Sequence, residues 1–280
     1  MEKVLVINNL CKDYPKFKLK NVTFSVERGQ IMGFIGRNGA GKTTTLKTIL
    51  NLVHPTKGTV EFFGKNFIEN EKEIKQRIGY ASGGINYYQK NKLKDIVATT
   101  STFYSNWDNE RYRYFMDYFS LDEEKKPAEL SEGMKVKFNL TLALSHHAEF
   151  LILDEPTSGL DPVSRDDLLE VFMDLSAKGV AILFSTHITS DLDKCADAIT
   201  YIKGGNILAS ANTEEFIDSY RLIDINNELS DDQKKCILGI SKNRKGSTAL
   251  IHKSDVVNFE GQEMTLPNLE QIMGHLEKER

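Results

Sequence analysis

Short apolar runs alternate with amphipathic stretches over most of the first 220 residues. Ile31-Met32-Gly33-Phe34-Ile35 reads as a buried strand, preceded by the turn residues Arg28-Gly29. Phe150 to Leu153 and Val180 to Phe184 are apolar runs of the same kind and predict two further central strands. Leu46, Ile49, Leu50 and Val53 recur at the spacing of one helix face, as do Phe138, Leu142 and Ser145 in a helix that Ser131 is placed to cap. Gly204-Gly205-Asn206 divides two short strands, Ile199 to Ile202 and Ile207 to Ser210, as a hairpin turn does. Thr213-Glu214-Glu215-Phe216 then opens a helix with Thr213 as its expected cap.

Two regions depart from this alternation. Residues from about 86 to 147 are rich in helix formers and aromatics, and predict a small helical subdomain with about half of the aromatics in its core, Trp107 among them. Beyond residue 221, Leu222 to Ile225, Cys236 to Ser241 and Thr248 to His252 read as strands. Asn243-Arg244-Lys245-Gly246 reads as a turn between two of them, and Pro267-Asn268-Leu269 opens a last helix. The expected organisation is a main domain over 1–220 and a small α/β extension over 221–280.

Composition narrows the function classes. The 280 residues are 40% hydrophobic and 27% charged, those of a globular chain, and the formal net charge of -4 offers no general attraction to nucleic acid. The apolar runs are too short to span a bilayer, and the N-terminus lacks the build of a signal peptide, so a cytoplasmic location is expected. Cys11, Cys195 and Cys236 form no CxxC pair and are expected to be reduced.

The candidate chemistry begins directly after the first buried strand. Gly36-Arg37-Asn38-Gly39-Ala40-Gly41-Lys42-Thr43-Thr44 matches Gly-x4-Gly-Lys-Thr at every fixed position, between a strand and a helix. Such a loop turns successive N–H groups inward on phosphate oxygens, and the helix N-terminus adds partial positive charge. Asn38, Gly39, Ala40, Gly41, Lys42, Thr43 and Thr44 are therefore the candidate nucleotide-binding residues. Lys42 reaches the β- and γ-phosphates, and Thr43 offers a hydroxyl to Mg²⁺.

Two carboxylates, Asp154 and Glu155, end the strand Phe150 to Leu153. Ligands of parallel sheets bind at the carboxyl ends of strands, so both motifs can meet at one nucleotide. Asp154 is the candidate Mg²⁺ residue and Glu155 the candidate base for an attacking water. His187 closes the next strand in Ser185-Thr186-His187 and is placed to bond a phosphate oxygen and orient water. Leu130-Ser131-Glu132-Gly133 opens its helix with Gly133 leaving room for a phosphate at the first turn.

In the order glycine loop, Ser131-Gly133 helix, acidic strand end, Ser158-Gly159-Leu160-Asp161 turn and His187, the set resembles the ATP-binding subunit of an ABC transporter. Within that family it is similar to the ATPases of bacterial ABC-2-type exporters. The resemblance covers about residues 1 to 215. It implies an α/β fold: a P-loop, RecA-like core, an antiparallel β edge and an α-helical subdomain, with the C-terminal appendage added. It also implies that two ATPase subunits, identical or paralogous, pair head to tail around ATP and Mg²⁺. Ser131 and Gly133 of one would contact the γ-phosphate held by the Lys42 of the other. Tyr14 falls where the family stacks an aromatic on adenine. The implied partners are membrane-spanning permease subunits, with the chain peripheral at the inner face of the cell membrane.

Two positions depart from the family pattern. The usual Leu-Ser-Gly-Gly-Gln is Leu130-Ser131-Glu132-Gly133-Met134 here, and Glu132 is expected to face solvent or a basic partner side chain. The glutamine or glutamate that usually follows Arg77-Ile78-Gly79-Tyr80 is absent from Ala81-Ser82-Gly83-Gly84-Ile85-Asn86. The alternative function is a soluble ABC-type ATPase acting on nucleic acid or ribosomes. It lacks support from heptads, an internal repeat or a basic balance.

Overall fold

A computed structural model describes residues 2–82, 89–225, 229–243 and 246–278. The chain divides into two compact units, one of Met1–Ile188 with Lys194–Ser210, the other of Thr189–Asp193 with Ala211–Arg280.

The main unit opens with two long strands, β1 (Lys3–Tyr14) and β2 (Phe17–Glu27), followed by β3 (Ile31–Ile35) and helix α1 (Lys42–Ile49). Next come β4 (Lys57–Phe62), β5 (Lys65–Asn66), α2 (Glu71–Arg77) and β6 (Ile78–Ser82). Three helices follow, α3 (Leu93–Ser101), α4 (Asn109–Tyr118) and α5 (Glu132–Ser145). The chain then continues through β7 (Phe150–Asp154), α6 (Pro162–Ala177), β8 (Ala181–Thr186), α7 (Thr189–Cys195), β9 (Ala198–Lys203) and β10 (Asn206–Asn212), of which Thr189–Asp193 of α7 and residues 211–212 of β10 fall in the second unit.

These strands form two sheets. One is antiparallel, in the order β2-β1-β4-β5; the other has six strands in the order β10-β9-β3-β8-β7-β6. In the second, β9, β3, β8, β7 and β6 pair in parallel. Every residue of β3, β7 and β8 is buried, which is why they read as unbroken apolar runs: a central parallel strand is covered on both faces. β1 faces solvent on one side, and Val4, Leu5, Ile7 and Leu10 are its buried positions. The core lies between the two sheets. Phe24 stacks on Phe34 with centroids 5.5 Å apart, Phe62 meets Phe150 at 6.0 Å, and Leu46 and Ile49 of α1 belong to the same cluster. Burial on this scale, at about 25 cal/mol per Å² of apolar surface, is the main force holding the sheet ends that carry the site.

The mixed α/β architecture expected from sequence is the one found; several local features differ. Helix α1 ends at Ile49, with Asn51 in the left-handed region at φ 54°, so Val53 lies past the helix it was expected to extend. In the helical segment Tyr112, Met116 and Phe119 are buried, whereas Phe103, Tyr114 and Tyr118 are exposed. Trp107 is half-buried, its indole N–H donating to Asn109 Oδ1, and is not the core residue expected. Among the described residues, no helix is long and apolar enough to cross a membrane.

The second unit contains α8 (Thr213–Asp218), β11 (Tyr220–Ile225), α9 (Asp231–Cys236), β12 (Ile237–Asn243), β13 (Gly246–His252), β14 (Met264–Thr265) and α10 (Leu269–Leu276). Its four strands are antiparallel in the order β12-β13-β11-β14. Residues 211–220, expected in the main domain, belong here because α8 packs on its own strand: Phe216 meets Tyr220 edge-on at 5.3 Å. The cap of α8 is Asn212, whose side chain accepts from Glu214 N, and Thr213 is the first helical residue. Cys236 ends α9 instead of opening β12. In the expected turn after Asn243, Arg244 and Lys245 lie outside the described residues.

Candidate nucleotide site

Gly41 is the N-cap of α1 at φ 115°, a conformation that side chains disfavour. A Cβ there would stand 2.7 Å from the Phe17 ring, so the position has neither the backbone freedom nor the space for another residue. Gly41 supplies no capping side chain, so the first-turn N–H groups of α1 are left to a ligand, where the helix dipole favours an anion.

A cavity of about 670 Å³ opens at this point, within the range of small-molecule sites. Asn38, Gly39, Gly41, Lys42, Thr43 and Thr44 line one wall. Tyr14 and Phe17 line another, and Glu155 and His187 come from the sheet end. Ala40 is buried and does not line it; its carbonyl instead accepts from Gly205 N at 2.9 Å, tying the loop to the β9–β10 turn. Tyr14 is 38% exposed, with the Lys12 ammonium 5.3 Å from its ring centroid. Lys16, Arg37 and Ser158 also line the cavity. Lys16, Phe17 and Arg37 are not among the residues that the sequence points to, although Arg37 adjoins Asn38 and Lys16 follows Tyr14 by two positions.

Lys42, Glu155 and His187 form a connected chain. The buried Lys42 Nζ donates to Gly36 O at 2.7 Å and Arg37 O at 3.4 Å and pairs with Glu155 Oε1 at 3.0 Å. The other carboxylate oxygen, Oε2, is 2.8 Å from His187 Nδ1; a carboxylate accepts, so this nitrogen carries the proton in that bond. Glu155 sits in the left-handed region at φ 52°, a conformation that surrounding structure must hold and that recurs at functional sites. Asp154, 7% exposed, lies behind Glu155 at the end of β7 and is not a lining residue. Burial pushes the Tyr80 phenol up from its ordinary value, and the negative charge of Asp154 adds to that.

Ser131 and Gly133 lie elsewhere. Ser131 caps α5, its Oγ accepting from Met134 N at 3.2 Å. A Cβ on Gly133 would meet Leu160 at 3.3 Å, so the first turn of α5 packs against the Ser158-to-Asp161 turn. Asp161 in turn caps α6 by accepting from Val163 N and Ser164 N, each at 3.1 Å. Neither Ser131 nor Gly133 lines the cavity of its own chain. Glu132 is exposed to solvent, as expected, and there it also pairs with Lys135 of the same helix at 2.6 Å. The departure at Gly83-Gly84 lies outside the described residues.

Comparison with known proteins accords with this geometry. The sequence model of the ABC transporter family matches residues 19–158, half of the chain. A bacitracin transport ATP-binding protein of Bacillus licheniformis is 33% identical over 212 residues, which cover 74% of this chain and 69% of that protein. The ABC transporter ATP-binding protein YtrB of Bacillus subtilis is 30% identical over 203 residues, covering 72% and 69%. A solved ATP-binding subunit of an ABC transporter superposes with a TM-score of 0.69 at 29% identity, covering 76% of this chain and 91% of that one. With a glycine loop opening on a nucleotide-sized cavity and an acidic strand end beside it, this chain belongs to the ABC transporter family, as an ATP-binding subunit that hydrolyses ATP.

Proposed function

We propose that this chain powers a bacterial exporter whose membrane-spanning subunits are separate chains, and that it works as one of two ATPase subunits closed around ATP. In this reading the loop N–H groups and Lys42 grip the triphosphate while Tyr14 stacks on adenine. Mg²⁺ would be held by the Thr43 hydroxyl and Asp154 together with phosphate oxygens, a hard-oxygen set that suits it, and it would offset the phosphate charge. The incoming phosphates compete for Lys42, freeing the Glu155 carboxylate to accept a proton from the attacking water. His187 bonds the γ-phosphate.

The observation that carries the pairing is the position of Ser131 and Gly133. They stand at a helix N-terminus suited to a phosphate, yet do not line their own chain's cavity. A second subunit turned head to tail gives that helix end a phosphate to bind. Export is supported by the resemblance to ABC-2-type exporter ATPases, alongside relatives whose names record transport of bacitracin. The exposed Phe103, Tyr114 and Tyr118 support an apolar contact surface for a membrane subunit at the cytoplasmic face.

The pairing is tested with Ser131→Arg in a Glu155→Gln background. Light scattering with Mg-ATP is expected to show dimer for Glu155→Gln alone and monomer for the double variant, with ATP affinity of the monomer unchanged. Dimer formation by the double variant refutes the arrangement. Co-purification of the tagged chain with a polytopic membrane protein tests the transport partner.

The Glu132–Lys135 pair gives a finer expectation. Without its ammonium partner, the Glu132 charge stands uncompensated at a helix end meant for a phosphate. Lys135→Ala should weaken ATP-dependent pairing by about fivefold at low salt, less at high salt, because the pair is half-exposed and screened. Adding Glu132→Gln should restore it. Sedimentation at two ionic strengths reads the effect, and equal pairing in parent and Lys135→Ala would contradict it.

A further inference from the structure

The ends of β7 and β8 lie in parallel register, with Asp154 opposite Ser185. Ser185 is fully buried. Its Oγ donates to Asp154 Oδ1 at 2.6 Å and accepts from the backbone N–H of Glu155 at 3.0 Å. The Ser185 carbonyl approaches the same N–H at 3.1 Å. One hydroxyl thus uses its proton on one acidic residue and a lone pair on the other. The bond to Asp154 is short, as expected when a hydroxyl meets a carboxylate. The bond to Glu155 falls on the residue whose backbone is left-handed at φ 52°, where the conformation needs an outside hold.

We infer that Ser185 is a positioning residue for ATP hydrolysis, setting both the Asp154 carboxylate and the Glu155 backbone through its one hydroxyl. It is fully buried and does not line the cavity. The inference rests on the proposed roles of Asp154 toward Mg²⁺ and Glu155 toward water. With the hydroxyl gone, Asp154 loses a donor that orients it, and the Glu155 backbone N–H is left to the Ser185 carbonyl.

Ser185→Thr and Ser185→Val make the test, because the two side chains have nearly the same shape and differ in the hydroxyl. Ser185→Val should lower kcat by about 10- to 100-fold, the usual cost of removing a group that orients a metal-side ligand. Its affinity for a fluorescent ATP analogue in EDTA should match that of the parent. The Mg²⁺ concentration that enhances that binding should rise about tenfold, a readout independent of turnover. Ser185→Thr should stay close to the parent in both. Where Val is too poorly folded to assay, Ser185→Ala replaces it, with thermal melting to separate lost fold from lost function. Parental kcat and Mg²⁺ dependence in Val or Ala, or Thr failing as badly as Val, overturns the inference. A Glu155→Gln enzyme that still turns over instead refutes the base assignment beneath it, so the two failures are told apart.

Discussion

Glu155→Gln is expected to lower kcat by about 10²- to 10⁴-fold, the span that a positioned general base contributes, while leaving ATP binding intact. Glutamine preserves the shape but cannot take a proton from water. The sign on binding follows from the resting contacts. Lys42 pairs with Glu155 at 3.0 Å, so incoming phosphates must compete with a carboxylate for the same ammonium, and that carboxylate repels them. Removing its charge removes both obstacles, and affinity should be equal to or tighter than the parent's. Phosphate release and equilibrium titration with a fluorescent ATP analogue check the two halves separately. Parental turnover would sink the assignment of Glu155 as base, and a large loss of affinity would sink the competition for Lys42.

Lys42→Met should lower ATP affinity by about 100-fold or more. The Lys42 ammonium is buried, with two backbone carbonyls and Glu155 around it, and no other lining cation is so enclosed. Two hydrogen bonds from it to phosphate oxygens, at about 1.5–3 kcal/mol each for charged partners, account for that loss. The fold should survive, because methionine fills much of the same space and the Glu155 carboxylate left behind lines the open cavity and keeps His187 as a partner. Titration calorimetry checks the affinity and thermal melting the fold. Parental affinity in a folded Lys42→Met protein would show that the triphosphate is held elsewhere.

Much of the site was legible because its parts are local. A glycine loop between a strand and a helix places its own N–H groups, so a run of nine residues announces a phosphate cradle whatever surrounds it. An apolar strand ending in two acids likewise carries its direction and its chemistry in one segment. The misreadings have a different origin. Val53 continues the helical spacing of α1, yet the chain leaves the helix at Leu50 and turns at Asn51. Trp107 was assigned to the core by residue type alone, and residue type does not say which face of a segment finds a partner. Glu132 and Lys135 stand three residues apart on a helix, a spacing at which side chains meet, so that pair was readable in advance and went unread.

What the sequence determined by itself is the α/β class, the glycine loop with Lys42, and the acidic end of β7, because each follows from the identity and spacing of neighbouring residues. Tertiary structure alone decided that Lys42 rests on Glu155, that His187 takes the other carboxylate oxygen, and that Ser185 bridges to Asp154. The paired groups stand at or beyond the ends of strands and lie 31 or more residues apart in the chain, and only the pairing order and register of the sheet bring them within hydrogen-bond reach. Local spacing is written along the chain, whereas register across a sheet is the outcome of packing every strand against its neighbours at once.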